Sequence, residues 1–290
     1  MPTADPGIAN LATSHDIISL GMLADDVRRR RHGTKTTFVR VADIAVDTVA
    51  PIAIAASAGE ARIVGVPASR PAAIDCVRRV AAAAHGAAVS GYSLADLEQL
   101  AAREGVTLRA LLEELRAAGL ELVAEAPVDL LQDPRRSIEE VNIAGLTLAR
   151  LTIQQSPSAD SVPLFKSVAE LQRVVAVIRA FAPLPRRMNP LAPTTGYEDI
   201  KRVALARLIV DNVPSIQVDW ALYGPKLAQV ALTVGADDID AVSADDDMSA
   251  GSRRAPLEEI RRNIRAAGQE PAERNGRFDV IVSAGGERSR

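Results

Sequence analysis

The chain has 290 residues and a formal net charge of −3, with 48% hydrophobic and only 3% aromatic residues. This length lies at the upper end for one domain but is ordinary for an α/β barrel. We expect a core built mainly from Ala, Val, Ile and Leu. The charge balance excludes a protein whose main partner is nucleic acid, because such proteins present a concentrated basic face.

The ends of the chain and its cysteine content indicate where the protein works. The N-terminus lacks a basic start followed by an apolar stretch, so it is not a secretory signal. No apolar run reaches transmembrane length, and a single Cys76 excludes an intrachain disulfide. We therefore predict a cytoplasmic protein of a bacterium or archaeon without a membrane partner. Residues 1–15 and 283–290 are expected to be disordered, and 16–282 to form one barrel domain with a C-terminal helix.

Taken in chain order, the hydrophobic pattern alternates between helices and strands. It predicts a helix from Asp16 to Arg31 that ends at Gly33, and a strand from Thr36 to Val46. The basic run Arg28–Arg31 is expected to be a solvated helix C-terminus that complements the helix dipole. Further strands are predicted at 61–66, 87–92, 120–126, 148–153, 215–222 and 239–242. Further helices are predicted at 70–86, 93–105, 106–119, 196–212, 225–235 and 255–268.

The alternation of strands and helices indicates the fold class. Strands joined by helices of this length pair in parallel through right-handed crossovers. About eight candidate strands favour a closed (βα)8 TIM-type barrel, with an open doubly wound sheet as the alternative. Polar residues at the C-terminal ends of barrel strands carry function, and those candidates are Arg40, Asp43, Gly65, Ser90, Tyr92, Glu125, Asp129, Gln154, Arg179, Gln217, Asp219, Asp237 and Asp238.

Motifs for common cofactors are missing from the chain. Its three histidines are dispersed, so we predict no metal site. The chain has no GxGxxG, GxxxxGK[ST] or GxSxG motif. The sequence therefore does not indicate a dinucleotide site, a P-loop or a nucleophile elbow. The acidic run Asp245–Asp247 is interpreted as a solvated loop, and Cys76 as a buried structural thiol.

Two long segments resemble a known family. They run from Leu20 to Val41 (LGMLADDVRRRRHGTKTTFVRV) and from Thr194 to Asp240 (TTGYEDIKRVALARLIVDN and onward). Both resemble radical S-adenosylmethionine (SAM) enzymes of the aminofutalosine synthase branch, which includes the second subunit of FO synthase. The resemblance covers about residues 16–280 and implies a radical SAM type of barrel.

The resemblance also implies a cofactor whose ligand residues are missing from this sequence. In the family, the loop after the first strand carries CxxxCxxC, which ligates a [4Fe-4S] cluster that in turn binds SAM. The matching stretch at 42–60 has no cysteine, and iron–sulfur clusters require thiolates. The family's SAM-contacting turn is replaced by Val66-Pro67-Ala68, and Asp129 stands at a family Glu position. We therefore expect neither the cluster nor SAM as a cofactor.

The second half of the chain agrees with the family more closely. Thr194 and Thr195 precede a helix N-terminus, a position that favours an anion. Trp220, Gln229 and Asp237 match positions near the family's substrate cavity. The alternative for these residues is that they preserve the packing of the barrel.

Three functional hypotheses follow. The first is a cluster-less relative that binds a small carboxylate or nucleoside-like metabolite of the futalosine route to menaquinone, with any chemistry being non-radical. As a lyase, hydrolase or transferase it would use Asp219 or Glu125 as general base, with a pKa raised by an apolar barrel mouth. The second is a non-catalytic pseudoenzyme partner of a true radical SAM enzyme. The third, from similarity alone, is a radical SAM transferase.

Overall fold

Parallel strands close into a barrel around which the helices are arranged. The computed structural model describes residue 13 and residues 15–155, 161–187, 194–246 and 256–281. The strands are β1 (Lys35–Ala45), β2 (Glu60–Val64), β3 (Ala88–Ser93), β4 (Leu122–Pro127), β5 (Thr147–Leu148), β6 (Leu151–Gln155), β7 (Ala180–Arg187), β8 (Ser215–Asp219), β9 (Asp238–Ser243) and β10 (Glu270–Arg274). The predicted disordered leader and tail fall almost wholly outside the described residues.

The strand order confirms the closed TIM-type barrel. It runs β10-β1-β2-β3-β4-β6-β7-β8-β9, with the two-residue β5 pairing with β4. β1 also pairs in parallel with β9, with Thr37 opposite Asp238, and this pairing closes the ring. The alternative of an open doubly wound sheet is therefore wrong.

The helices cover the outside of the barrel and begin at the residues that their caps dictate. They are α1 (Ile17–His32), α2 (Arg70–Ala83), α3 (Leu94–Arg103), α4 (Leu108–Ala117), α5 (Pro134–Ile143), α6 (Val162–Val175), α7 (Gly196–Ile209), α8 (Trp220–Leu232) and α9 (Pro256–Ala266). The side chains of Asp16, Ser69, Thr107 and Asp133 each accept a hydrogen bond from the first turn of the helix that follows. One buried apolar cluster fills the space between strands and helices.

β10 is a strand that the apolar pattern missed. Its sequence EPAER is mostly polar, yet it pairs in parallel with the first half of β1, with Lys35 opposite Glu270. Arg274 at its end reaches inward and donates to both carboxylate oxygens of Asp238 at 2.7 Å. The strand therefore fills the N-terminal end of the barrel with a buried ion pair rather than with apolar side chains.

Two further sequence predictions need correction. The strand predicted at 215–222 ends at Asp219, and α8 begins at Trp220 because Asp219 caps that helix. The basic run at the end of α1 is not wholly solvated. Arg28 is buried and pairs with Asp25 at 2.8 Å, and Arg31 donates to the carbonyl of Val213 at 2.7 Å. Arg28 thus stabilises the end of α1 itself, and Arg31 attaches α1 to the segment before β8.

Among the described helices, none combines the length and the apolar character needed to cross a bilayer.

Candidate ligand-binding site

The middle of the barrel holds a buried network of charges. Arg62 on β2 donates to both oxygens of Asp240 on β9, at 2.8 and 3.1 Å, and to Glu60 at 2.8 Å. Arg150, just before β6, also pairs with Asp240 and donates to the Ala124 carbonyl at 2.9 Å. These charged side chains are almost fully buried. Strands from opposite sides of the barrel are thereby tied together through its interior.

The pKa values show that this network stays ionised. Burial alone would raise the pKa of Glu60, but the guanidinium groups of Arg62 and Arg150 lower it to about 2. Burial, together with the nearby Arg62, lowers the pKa of Arg150 to about 9. Glu60, Arg62 and Arg150 are therefore charged at neutral pH. TIM-barrel interiors are usually filled by branched apolar residues, which is why the sequence analysis did not select these side chains.

A second layer of charge lies at the C-terminal ends of β4, β7 and β8. Arg186 contacts Asp219 at 2.5 Å through Nη1 and Glu125 at 3.2 Å through Nε. The structure thus brings together the two carboxylates predicted as catalytic. The arginine that joins them, Arg186 near the end of β7, was missed because its two partners come from other strands.

The predicted pKa of Asp219 is wrong in direction. Burial would raise this pKa, but Arg186 and the Leu222 N–H, which donates at 2.8 Å, hold it below its usual range. The barrel mouth is charged rather than apolar, so an ionised Asp219 is stabilised there. Asp219 is accordingly a weaker base than an ordinary aspartate, and its contacts suit the positioning of Arg186 and the start of α8.

Asp43, at the C-terminal end of β1, has a raised pKa, in contrast to Asp219. Desolvation by the surrounding protein raises its pKa, and the nearby carboxylates of Glu60 and Asp219 add to the effect against the attraction of Arg62. Its side chain is nevertheless open to solvent, and no hydrogen bond or ion pair is found for it among the described residues. The mouth therefore offers one accessible carboxylate that is more basic than usual.

Asp96 near the start of α3 is a second carboxyl group with this property. Desolvation raises its pKa, and the charge of Glu125 adds to the increase, whereas Arg187 opposes it. Its side chain is half-buried. The mouth therefore contains carboxylates of two kinds, paired ones that stay ionised and less paired ones that protonate more readily.

Buried polar atoms without a hydrogen-bond partner lie on the strands beneath the mouth. They are found on Thr152 and Gln154 of β6 and on Gln217 of β8. Thr152 and Gln154 share a strand face with Arg150, because side chains alternate along a strand. Gln217 shares a face with Asp219 and donates to Asp238 at 2.6 Å, but its Oε1 atom is unpartnered. These polar atoms are buried and remain without a hydrogen-bond partner beneath the mouth.

Three of the predicted ligand residues act as internal anchors near the C-terminal ends of the strands. Arg40 is buried and donates to the Ala244 carbonyl and to Asp246, at 2.8 and 2.6 Å. The Tyr92 hydroxyl donates to the Ala73 carbonyl of α2 at 2.9 Å, and Tyr92 has a left-handed φ of 63° that turns it out of the barrel. Asp129 accepts from two backbone N–H groups at the end of β6, at 2.8 and 2.9 Å.

Three other predicted ligand residues lie toward the N-terminal end of the barrel, away from the mouth. Arg179 immediately precedes β7 and donates to the Arg277 carbonyl at 2.9 Å. Asp237 immediately precedes β9, where it pairs with Arg207 and accepts from Ser215 at 2.8 Å. Gln229 lies in the later turns of α8, which run back toward the N-terminal end. Arg179 and Asp237 precede β7 and β9, and Gln229 lies on a helix, so none of the three lies at the mouth.

The predicted anion position at the start of α7 is already capped. Thr195 accepts from the Glu198 N–H at 3.2 Å, and the Thr195 N–H donates to the Glu198 carboxylate at 2.7 Å. This capping box satisfies donors that an anion would need. The Thr194 hydroxyl is buried without a hydrogen-bond partner. Trp220 is half-buried and packs against the core, which favours its structural interpretation.

The residues present do not fit an iron–sulfur cluster. Cys76 lies on α2, 3% exposed, and burial raises its pKa, so the predicted structural thiol is confirmed as buried. The loop at 46–59 after β1 contains neither cysteine nor histidine. Among the described residues, no three His, Cys, Asp or Glu side chains are grouped so that they could hold a metal ion.

Comparison with known proteins confirms the family resemblance. Residues 183–284 match the model of the CofH/MqnC C-terminal region. The cyclic dehypoxanthine futalosine synthase of Streptomyces coelicolor is 26% identical over 67% of this chain and 55% of that protein. The aminodeoxyfutalosine synthase of Thermus thermophilus is 24% identical over 93% of this chain and 90% of that protein. The chain thus spans about half the length of the first relative and most of the second.

Solved structures confirm the type of barrel. Methylornithine synthase (PylB) superposes with a TM-score of 0.65 at 12% identity, covering 92% of this chain and 94% of that one. The hydrogenase maturase HydG from Carboxydothermus hydrogenoformans gives a TM-score of 0.62 at 11% identity, covering 91% and 74%. At these identities the likeness concerns the fold alone.

The central network yields a prediction about stability. Replacing Asp240 by Asn should lower the free energy of unfolding by about 3–5 kcal/mol, because two buried guanidinium groups lose their shared carboxylate. Urea unfolding followed by circular dichroism measures the change. Glu139→Gln is the matched control, since Glu139 pairs with Arg135 in solvent and its loss should change little. A loss below about 1 kcal/mol for Asp240→Asn would show that the network does not hold the barrel together.

Proposed function

We propose that the chain is a cluster-less relative of the aminofutalosine synthase branch whose barrel mouth binds a nucleoside-like metabolite. Any reaction there is a two-electron, acid–base reaction. The proposal rests on two features. The sequence lacks the three thiolates that a [4Fe-4S] cluster requires. The mouth nevertheless has a dense set of polar groups, of which Asp43 is accessible and unpaired among the described residues.

The charges of the mouth favour a ligand that donates hydrogen bonds. Arg186 is shared by Asp219 and Glu125, and Arg62 is shared by Glu60 and Asp240. A carboxylate ligand that bound Arg186 or Arg62 would have to displace one of these protein carboxylates. The hydroxyl groups of a ribose can instead donate to Asp43 without breaking an ion pair. Of the two ligand classes predicted from the sequence, the geometry therefore supports the nucleoside-like one.

In the mouth, Asp43 is the proposed proton acceptor, whereas Asp219 and Glu125 position Arg186. A raised pKa makes Asp43 the better acceptor of a proton from a bound hydroxyl group, because general bases work best near the operating pH. Asp219 and Glu125 hold Arg186 in position rather than accept the proton. Two of the relatives are named as synthases of futalosine compounds, and a metabolite of the futalosine route is the substrate class that we propose to test.

The first prediction concerns the cluster. After anaerobic reconstitution with iron and sulfide, we expect no absorbance band near 400 nm beyond that of adventitious iron, because one buried thiol cannot ligate three irons. Cys76→Ser should give the same spectrum as the unchanged chain. Stoichiometric iron and acid-labile sulfide, with an electron paramagnetic resonance signal of [4Fe-4S], would overturn the proposal.

The second prediction concerns the ligand. Futalosine should raise the Tm by an amount that grows with its concentration, as ligand-linked stabilisation requires, whereas benzoate should have a much smaller effect. Asp43→Asn should weaken futalosine binding about tenfold, since a hydrogen bond to a charged acceptor is replaced by one to a neutral group. Differential scanning fluorimetry and calorimetric titration measure both effects.

Glu139→Gln, far from the mouth on α5, is the control for this experiment and should bind futalosine like the unchanged chain. If benzoate stabilises the protein more than futalosine, the charge argument is wrong. If neither ligand has an effect and a radical SAM enzyme co-purifies with the chain, the alternative of a non-catalytic partner is favoured.

A further inference from the structure

A cleft at the N-terminal end of the barrel lies on the opposite side from the proposed site. Its volume is about 530 Å³, within the range of small-molecule sites. The end of α1, the starts of β1, β7 and β8, and the segment after β10 form its walls. No sequence motif marks this cleft, because each of its walls contributes only a few residues.

The cleft contains more positive charge than its carboxylates neutralise. Lys35 is exposed and has no partner among the described residues. The guanidinium groups of Arg31 and Arg179 donate to backbone carbonyls, Arg31 to Val213 at 2.7 Å and Arg179 to Arg277 at 2.9 Å. Backbone carbonyls carry no net charge, so these three cations retain theirs.

The two buried carboxylates near the cleft, Asp237 and Asp238, are already paired. Asp237 pairs with the buried Arg207 and accepts from the Ser215 hydroxyl at 2.8 Å. Asp238 is held by Arg274, which donates to both of its oxygens at 2.7 Å. The chain as a whole has a net charge of −3. A basic cleft in an acidic protein therefore indicates an anionic ligand.

An aromatic side chain in a strained conformation stands in the wall of the cleft. Phe278 has a φ of 69°, a left-handed value that is unusual for a bulky residue. Its ring lies under the guanidinium of Arg274, 4.1 Å from the ring centroid, and that of Arg179 is 6.0 Å away. Pro214 and Val280 add apolar surface. Strained residues of this kind cluster at ligand sites, where other interactions hold them in place.

We propose that this cleft is a second ligand site, which binds an anion carried on a flat apolar body. Lys35, Arg31 and Arg179 contact the anionic group, a phosphate or a carboxylate. Phe278, with its apolar neighbours, contacts the body of the ligand. The site does not depend on the function proposed for the mouth, because the two share no side chain and differ in the sign of their charge.

The probe for this site is 1-naphthyl phosphate, which combines both features. Calorimetric titration of the full chain at low ionic strength should show binding of 1-naphthyl phosphate, and at least tenfold weaker binding of 1-naphthol or inorganic phosphate alone. Lys35→Ala and Arg179→Ala should each weaken naphthyl phosphate binding about tenfold, because each removes a charge-assisted contact. 2-Naphthoate, tested in parallel, shows whether a carboxylate serves as well as a phosphate.

Arg265→Ala is the matched control, since it removes one exposed positive charge near the end of α9 that does not line the cleft. It should leave the affinity unchanged. Phe278→Gly permits the left-handed backbone but removes the ring, so naphthyl phosphate should bind more weakly while Tm is maintained. The proposal is overturned if neither naphthyl anion binds, or if Lys35→Ala and Arg179→Ala weaken binding no more than Arg265→Ala does.

Discussion

Charges buried inside the barrel must be paired, and this requirement connects most of the structure. A charge taken out of water costs several kcal/mol unless an opposite charge and hydrogen bonds replace the lost hydration. Arg62, Asp240 and Arg150 meet this requirement only when β2, β6 and β9 are in register. Asp238 and Arg274 do the same for β9 and β10. The ion pairs therefore specify which strands lie opposite one another, whereas the apolar cluster outside the barrel supplies the bulk of the burial.

Pairing also determines which charges remain for ligands. In the mouth, Arg186 and Arg62 are shared among carboxylates, and the carboxylate of Asp43 remains accessible. At the other end, the carboxylates are satisfied by Arg207 and Arg274, and what remains is the cationic group of Lys35. The two ends of one barrel thus offer charges of opposite sign. Such an arrangement allows two ligands of different chemistry to bind without competing for the same residues.

The sequence predicted the features that depend on local pattern. Alternating apolar strands and amphipathic helices indicated the barrel, and Glu125 and Asp219 lie near the C-terminal ends of β4 and β8, as the strand pattern predicted. The errors arose where contacts distant in sequence decide the outcome. The buried side chain of β10 is Arg274, which pairs with Asp238. An apolar pattern could therefore not reveal this strand. Tyr92 is turned outward by a single left-handed residue, and no strand periodicity signals such a residue. Arg186 was missed because its two partners come from other strands.

The loop that follows β1 is held by hydrogen bonds to other parts of the barrel. In the loop at 46–59, Ser57 donates to the Ala244 carbonyl at 2.7 Å, and Arg40 donates to the same carbonyl from β1. The Val46 N–H further donates to the Val64 carbonyl at 2.9 Å. These hydrogen bonds join the loop to Ala244, which follows β9, and to the last residue of β2. Hydrogen bonds therefore set the position of this loop, which does not require thiolate ligands.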